Sequence, residues 1–249
     1  MYQFFIREED IAEEGIRVTK PEDVNHIKNV LRMKKGEEVL LCCSEKQKDY
    51  HCKIHDFEEG TILFNVIDID GTNRELPVKI TLFQGLPKGD KMELIIQKAV
   101  ELGASRIVPV AMKRCVVKLD AKKAKKKVAR WNTTALAAAK QSKRGIIPEV
   151  GDVISYEDAL DEASEMDGIL VPYEDAQGVA HSRQVISRVS SMRSVGIFIG
   201  PEGGFEPGEI DQAIARGAST ITLGHRILRT ETAGMTILSI LMFALESDD

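Results

Sequence analysis

The sequence has few cysteines and no long apolar run. Its 249 residues include four cysteines, two of them adjacent, which is not the framework of a disulfide-stapled secreted domain. The most apolar stretch, residues 233–245, is shorter than the roughly 20 residues that a transmembrane helix needs, and it contains Thr236 and Ser239. The N-terminal residues lack the basic start and apolar centre of a secretory signal. We therefore expect a cytoplasmic protein with reduced thiols and no membrane association.

The cysteines and histidines near position 50 have the ligand types of a zinc site. They are Cys42, Cys43, His51, Cys52 and His55. If residues 39–43 and 50–57 form strands, neighbouring side chains point to opposite faces and cannot converge on one ion. We therefore predict no metal site.

The first 70 residues are rich in short β-branched and aromatic runs. We predict strands at residues 2–6, 39–43, 50–57 and 61–69. One helix interrupts them, with Pro21 in its first turn, a possible capping box of Thr19 and Glu22, and an end at Gly36. Short strands with one helix indicate a small β-barrel, followed by a linker at residues 70–73. The predicted first domain is 1–73.

The second predicted domain, 74–249, alternates apolar strands with amphipathic helices. This pattern is typical of an α/β fold with a parallel sheet covered on both faces. The predicted strands are 78–84, 106–110, 168–172, 195–199 and 220–223, and the predicted helices are 90–102, 121–140, 156–163, 182–189, 207–216 and 231–245. Ligands of such sheets bind at the carboxyl ends of the strands.

Basic residues concentrate between positions 113 and 144, where twelve lysines and arginines accompany one acidic residue. A polyanion could bind this block, and Trp131 and Gln141 beside it would suit nucleic acid. The alternative is a solvated helix face, because the run from Lys122 to Lys127 lies in a predicted helix.

Three predicted strands end in unusual loops. Residues 197–205 run from an apolar strand into Gly200, Gly203 and Gly204, where backbone could approach a ligand closely. The loop is not a phosphate-binding loop, because no Gly-Lys-Ser/Thr follows and Glu202 would repel phosphate. A plain tight turn remains the alternative. Residues 223–233 and 170–175 are the other two loops, and the arginines and glutamate of the former could equally form a surface ion-pair cluster.

Taken together, these motifs resemble the RsmE family of ribosomal RNA methyltransferases, within the SPOUT superfamily. The resemblance rests on two paired strand-end motifs, residues 200–205 and 223–233, and extends over nearly the whole chain. The further motifs are residues 86–92, residues 97–103, Arg130-Trp131, Gln141-Ser142 with Arg144, and His26 with Val30-Leu31-Arg32.

The resemblance implies transfer of a methyl group from S-adenosyl-L-methionine to N3 of a uridine in 16S ribosomal RNA of the small ribosomal subunit. It implies an N-terminal PUA-like β-barrel, a SPOUT-type α/β domain with a C-terminal trefoil knot, and a homodimer. The last helix agrees with a dimer, because it is apolar nearly all round, although burial within its own domain would explain this too.

The resemblance also implies the site residues. Arg229 would stabilise negative charge on the uracil, and Glu231 would orient Arg229 or act as the base. The expected cofactor residues are Val171, Pro172, Tyr173, Glu174, Ile199, Gly200, Pro201, Gly203, Gly204, Leu223, Gly224, Ile227, Leu228, Thr232 and Ala233. The expected RNA contacts are Arg7, Arg32, Lys88, Lys91 and Arg144.

One residue departs from the family pattern. Gln3 stands where the family usually has an arginine, which puts one expected phosphate contact in doubt. Two other functions remain open, methylation of another RNA atom such as a ribose 2′-hydroxyl, and RNA binding without catalysis.

Overall fold

The computed structural model describes residues 1–71, 74–174 and 176–246. The chain divides into two compact units, the first formed by Met1–Glu75 with Ala139–Ile147 and the second by Leu76–Ala138 with Pro148–Asp249. Residues 139–147 belong to the predicted second domain, whereas the structure groups them with the first unit. Thr72 and Asn73 of the predicted linker lie outside the described residues.

The first unit contains a six-stranded sheet. Its strands are β1 (Tyr2–Ile6), β2 (Ile11–Ala12), β3 (Gly15–Val18), β4 (Glu38–Cys43), β5 (Lys48–Glu58) and β6 (Thr61–Asp70). Their order is β1-β4-β5-β6-β3-β2, with β1 parallel to β4 and the other pairs antiparallel. The strand path does not close among the described residues, so the predicted barrel is a half-barrel sheet. Sequence analysis missed β2 and β3, whose polar surroundings mask the strand pattern.

The helix of the first unit is shorter than predicted. Helix α1 (Pro21–Asn25) continues as a π-helical turn at His26–Val30 and ends well before Gly36. Pro21 occupies the first helical position, where its missing N–H costs nothing. The predicted capping box is wrong, because Lys20 is the N-cap residue and no side chain caps the helix.

The cysteines of the first unit are core residues. Cys43 and Cys52 belong to the hydrophobic cluster between β4, β5 and the neighbouring strands, and Cys42 is fully buried outside that cluster. Burial raises the pKa of the Cys42 thiol above its usual range and that of Cys52 to about 12, so both stay protonated at neutral pH. Among the described residues, no group of three or more His, Cys, Asp or Glu side chains is arranged to hold a metal ion.

The second unit contains a parallel sheet. Its strands are β7 (Lys79–Gly85), β8 (Arg106–Ala111), β9 (Glu149–Val150), β10 (Ile154–Ser155), β11 (Gly168–Pro172), β12 (Ser194–Ile199) and β13 (Ser219–Ile221). The order is β10-β8-β7-β12-β11-β13, and β9 also pairs with β8. The longer strands match the predicted ones closely, whereas the two-residue strands β9 and β10 are too short for their pattern to be recognised.

Six helices of the second unit lie between and after these strands in the part of the chain that the structure describes. They are α2 (Lys91–Glu101), α3 (Ala121–Gln141), α4 (Tyr156–Ser164), α5 (Val179–Ser187), α6 (Pro207–Ala215) and α7 (Thr230–Leu245). The last three residues of α3 belong to the first unit. Phe83 of β7 and Phe198 of β12 stack at the centre of the sheet with ring centroids 4.5 Å apart. Because these central strands are apolar on both faces, polar groups are concentrated at the carboxyl ends.

Candidate active site

A cavity of about 1080 Å³ lies at the carboxyl ends of β11, β12 and β13, within the second unit. The predicted cofactor residues that line it are Pro172, Tyr173, Glu174, Ile199, Gly200, Pro201, Gly203, Gly204, Leu223, Gly224, Ile227, Leu228 and Ala233. Two predicted residues do not line it: Val171 is fully buried in β11, and Thr232 faces solvent on the first turn of α7. The structure therefore brings the three unusual strand ends together around one space.

The glycine-rich loop after β12 is both a tight turn and a wall of the cavity. Gly204 N–H donates to the Pro201 carbonyl over 2.9 Å, which closes the turn. A Cβ atom at Gly200 would lie 3.2 Å from the Gly204 backbone, and Gly204 itself has φ +67°. The turn therefore needs glycine for its own compactness. A side chain at Gly203 would press on Arg114 Cβ at 3.0 Å.

A buried polar link joins three segments beside the cavity. The Gln84 amide, fully buried at the end of β7, donates to Thr230 Oγ1 over 2.8 Å, and that hydroxyl donates to the Gly200 carbonyl over 2.6 Å. The link fixes the start of α7 against the ends of β7 and β12. Gln84 Oε1 is buried and accepts no hydrogen bond from a described residue. Sequence reasoning missed Gln84, although an amide in an otherwise apolar strand was a visible signal.

Lys91 lies between two carboxylates of the motifs. Its Nζ is 3.1 Å from Glu202 Oε1 and 3.2 Å from Glu231 Oε2. The hydrogen bond with Glu202 raises the pKa of Lys91, and the contact with Glu231 adds to this. Burial opposes ionisation of Glu202, but hydrogen bonds from its own amide, the Lys88 amide and Lys91 outweigh it and lower the pKa of Glu202. Lys91, predicted to contact RNA, therefore pairs with two carboxylates within the protein, and its RNA contact stays a prediction.

Arg229 is exposed at the N-cap position of α7 and lines the cavity. A surface ion pair between Arg229 and Glu231 was the alternative to a functional role. In the structure Glu231 forms its ion pair with Lys91, and Arg229 forms no ion pair with any described residue. Its guanidinium is therefore available to an anion in the cavity.

Arg114 also lines the cavity, and sequence reasoning missed it. It lies in the loop after β8, and its Nη1 donates to the Gly203 carbonyl over 3.1 Å. A basic residue directly after a parallel strand was the signal that could have identified it.

The other predicted RNA contacts differ in their exposure. Arg7 is exposed and pairs with Glu9 at 3.0 Å, while Arg32 and Lys88 are exposed. Arg144 is only 4% exposed, and its Nε lies 3.0 and 2.9 Å from the two carboxylate oxygens of Glu75. The structure thus contradicts a surface role for Arg144, because a phosphate would have to displace a buried ion pair.

Gln3, the residue that departs from the family pattern, is also buried. Gln3 is 8% exposed, and its amide donates to the Arg144 carbonyl over 2.8 Å. Gln3 therefore attaches residues 139–147 to β1 within the first unit and does not face a solvent-borne phosphate.

The lysine run of α3 faces solvent, with Lys127 half-buried over the Trp131 ring at 5.7 Å from its centroid. Trp131 is 3% exposed, so it is a packing residue and not a platform for stacking a base. The run by itself is an ordinary solvated helix face.

Comparison with known proteins gives the family. Residues 74–242 match the RNA methyltransferase domain family and residues 18–67 the RNA methyltransferase PUA domain family. The chain is 39% identical to ribosomal RNA small subunit methyltransferase E of Bacillus subtilis, over 99% of this chain and 98% of that protein. The chain belongs to the ribosomal RNA small subunit methyltransferase E family. The same enzyme of Mesomycoplasma hyopneumoniae is 33% identical over 96% of this chain and 98% of its own.

Solved structures of this family have the same fold. A Neisseria gonorrhoeae ribosomal RNA small subunit methyltransferase E, bound to S-adenosyl methionine, aligns with a TM-score of 0.82 at 32% identity. A putative methyltransferase from Legionella pneumophila in complex with the same cofactor aligns with a TM-score of 0.82 at 31% identity. Each alignment covers 98% of this chain and 97% of the other. The family resemblance predicted from sequence is confirmed.

No helix within the described residues is long and apolar enough to cross a membrane.

The link through Thr230 gives a stability prediction. Thr230→Val keeps the shape but leaves the buried Gln84 donor and the Gly200 carbonyl without this partner, so we expect a loss of about 1–3 kcal/mol in unfolding free energy. Thr236→Val is the control, because the Thr236 hydroxyl bonds to the Thr232 carbonyl of its own helix. Urea unfolding followed by Trp131 fluorescence measures both variants. Equal midpoints would mean that the link does not stabilise the second unit.

Proposed function

We propose that this chain transfers the methyl group of S-adenosyl-L-methionine to N3 of a uridine in 16S ribosomal RNA. The observation that carries the proposal is the cavity where three strand ends meet, lined by the motifs of the family and by exposed arginines. Family membership supports a small-subunit ribosomal RNA as substrate. Such a role would place the protein in the cytoplasm.

The lining of the cavity suits this cofactor. Its volume of about 1080 Å³ lies just above the usual range of small-molecule sites, so the cofactor fits with room to spare. Leu223 and Leu228 offer apolar walls, the Glu174 carboxylate can accept hydrogen bonds from ribose hydroxyls, and the loop at Gly200 offers backbone groups. Ile227 is 87% exposed and would cover the ligand from the rim. Bound there, the cofactor supplies an electrophilic methyl group on a sulfonium.

The residues beside the cavity can support reaction at N3. Uridine N3 carries a proton and lies on the pairing edge of the base, so the base must be unpaired or extruded. Arg229 would stabilise negative charge on the uracil oxygens without losing its own proton. Glu231 would take the N3 proton, and Lys91 holds its carboxylate at the start of α7. The other expected role of Glu231, orienting Arg229, has no support, because its ion-pair partner among the described residues is Lys91.

We further propose that the first unit, the predicted domain 1–73 together with residues 139–147, acts as the RNA-binding PUA-like unit, and that the remainder of the predicted domain 74–249 acts as the methyltransferase domain. Arg7 and Arg32 would contact phosphates from the first of these, and Lys88 from the second. All three are exposed, as ionic contacts with a polyanion require.

We propose a trefoil knot in the C-terminal part of the chain. The chain runs from the edge strand β13 to the start of α7. Thr230 at that start is hydrogen-bonded to the ends of β7 and β12, which lie on the other side of β11 from β13. Residues 222–229 would therefore have to cross the end of β11, as the threading of a knot requires.

Methylation of a ribose 2′-hydroxyl and RNA binding without catalysis are the competing functions. The discriminating experiment incubates small-subunit RNA with the protein and radiolabelled cofactor, digests the RNA to nucleosides and separates them. Label in 3-methyluridine supports the proposal, label in a ribose-methylated nucleoside supports the first alternative, and cofactor binding without label contradicts both enzyme functions.

The cofactor site gives a binding prediction. Ala233 lines the cavity from α7, so Ala233→Phe should crowd it and weaken cofactor binding roughly 10- to 100-fold in isothermal titration. Ala215→Phe, at an exposed position of α6 that does not line the cavity, is the control and should bind normally. Unchanged affinity of the Ala233 variant would move the cofactor to another site.

The proposed role of Arg229 gives a kinetic prediction. Arg229→Ala should lower kcat roughly 100- to 1,000-fold, because a charged donor at the developing anion is removed. Cofactor affinity should change little. Arg229→Lys should recover part of the activity, since it restores the charge but not the planar donor pair. A variant with wild-type kcat would show that Arg229 does not act in the chemical step.

We also propose a homodimer, which gives an assembly prediction. Phe243 is 84% exposed on α7, near Ile240 at 38%, which suits an interface with a second copy. Phe243→Glu should shift the sedimentation coefficient to that of a monomer and reduce methylation. Ile214→Glu, on an exposed position of α6, should leave the dimer intact. A dimer that survives Phe243→Glu would place the interface elsewhere.

A further inference from the structure

The rim of the cavity carries more cationic side chains than the proposed reaction uses. We propose that Arg114 and Arg226 bind backbone phosphates of the RNA strand that enters the cavity. This inference rests on the proposed function, since it assigns the substrate contacts of the same site. Neither residue belongs to the RNA contacts expected from the sequence.

Arg114 is held in a defined place with most of its donors unused. Its Nη1 donates to the Gly203 carbonyl over 3.1 Å, which fixes the side chain against the loop after β12. A guanidinium has five N–H donors, so this hydrogen bond leaves the planar fork able to bind an oxyanion. The residue is exposed and lines the cavity.

Arg226 approaches the same cavity from the loop between β13 and α7 and is also exposed. Among the described residues, neither Arg114 nor Arg226 forms an ion pair. Other arginines of the second unit do have carboxylate partners, for example Arg130 with Glu93 and Arg216 with Asp161. Arg183 and Arg188, on or next to α5, also lack an ion pair with a described residue, so what distinguishes Arg114 and Arg226 is that they line the cavity.

The charge balance of the lining favours an anionic ligand. Lys91 and Glu202 neutralise each other, and Lys91 also faces Glu231. Lys91 carries one positive charge against these two carboxylates, so one negative charge remains there, and Glu174 adds another among the described lining residues. Arg114, Arg226 and Arg229 outnumber these two negative charges. The cofactor has one carboxylate and could satisfy one guanidinium. An RNA strand offers successive phosphates and can satisfy more than one.

The experiment measures the salt dependence of RNA binding. Wild type and Arg114→Gln/Arg226→Gln are titrated with a fluorescently labelled, uridine-containing single-stranded RNA at a series of KCl concentrations. For single strands, the slope of log K against log salt becomes shallower by roughly 0.7 for each phosphate that the protein no longer neutralises. We expect each single variant to have a slope shallower by roughly 0.7, and the double variant to have a slope shallower by roughly twice that amount.

Arg183→Gln/Arg188→Gln is the matched control. Both residues lie on or next to α5, are exposed, form no ion pair with a described residue, and do not line the cavity. The control should keep the wild-type slope. Thermal unfolding checks that all variants are folded, which we expect because the substituted side chains are exposed.

Cofactor titration separates the possible failures. An unchanged slope in the double variant would overturn the inference. If the double variant also bound the cofactor more weakly, the two arginines would be assigned to the carboxylate of the cofactor. Wild-type protein that binds RNA but neither binds cofactor nor transfers a methyl group would contradict the proposed function instead.

Discussion

A single buried hydroxyl determines how the cavity is assembled. Thr230 Oγ1 accepts from the Gln84 amide and donates to the Gly200 carbonyl, so one atom joins the end of β7, the end of β12 and the start of α7. Gln84 is fully buried, so water cannot replace the bond between its amide and Thr230. The loop at Gly200 and the first turn of α7 therefore have fixed positions, and every other group of the site is placed relative to them.

The charged residues around this link fall into two groups, those paired within the protein and those that face the cavity. Lys91 pairs with both Glu202 and Glu231 within the protein, and this holds the carboxylates of two motifs in place although one ammonium offsets only one of the two negative charges. Arg114, Arg226 and Arg229 have no such internal partners among the described residues and face the cavity. The proposed cofactor carries charges of both signs and the proposed RNA substrate is a polyanion. Binding them requires cations without internal partners, because a cation already paired inside the protein contributes little to the binding of a ligand.

The sequence predicted those features that depend on local pattern. Strands such as β7, β11 and β12 are continuous apolar runs, and the glycines of residues 200–204 mark a loop in any context. It could not predict contacts between distant segments. The pairing of Gln84 with Thr230 spans 146 residues, and the pairing of Arg144 with Glu75 spans 69. For the same reason Lys91 and Arg144 looked like solvent-exposed cations, although their partners lie far along the chain.

The first unit is built from two separate stretches of the chain, and this determines when it can be completed during synthesis. Residues 139–147 belong to that unit, where Gln3 and Ser44 donate to the carbonyls of Arg144 and Gly145. These bonds cannot form until residue 145 has left the ribosome, by which time β7, α2 and β8 of the second unit have already been translated. The N-terminal unit therefore starts first but cannot be completed until a large part of the second unit has been translated, and its buried Gln3 amide is without this partner through about half of translation.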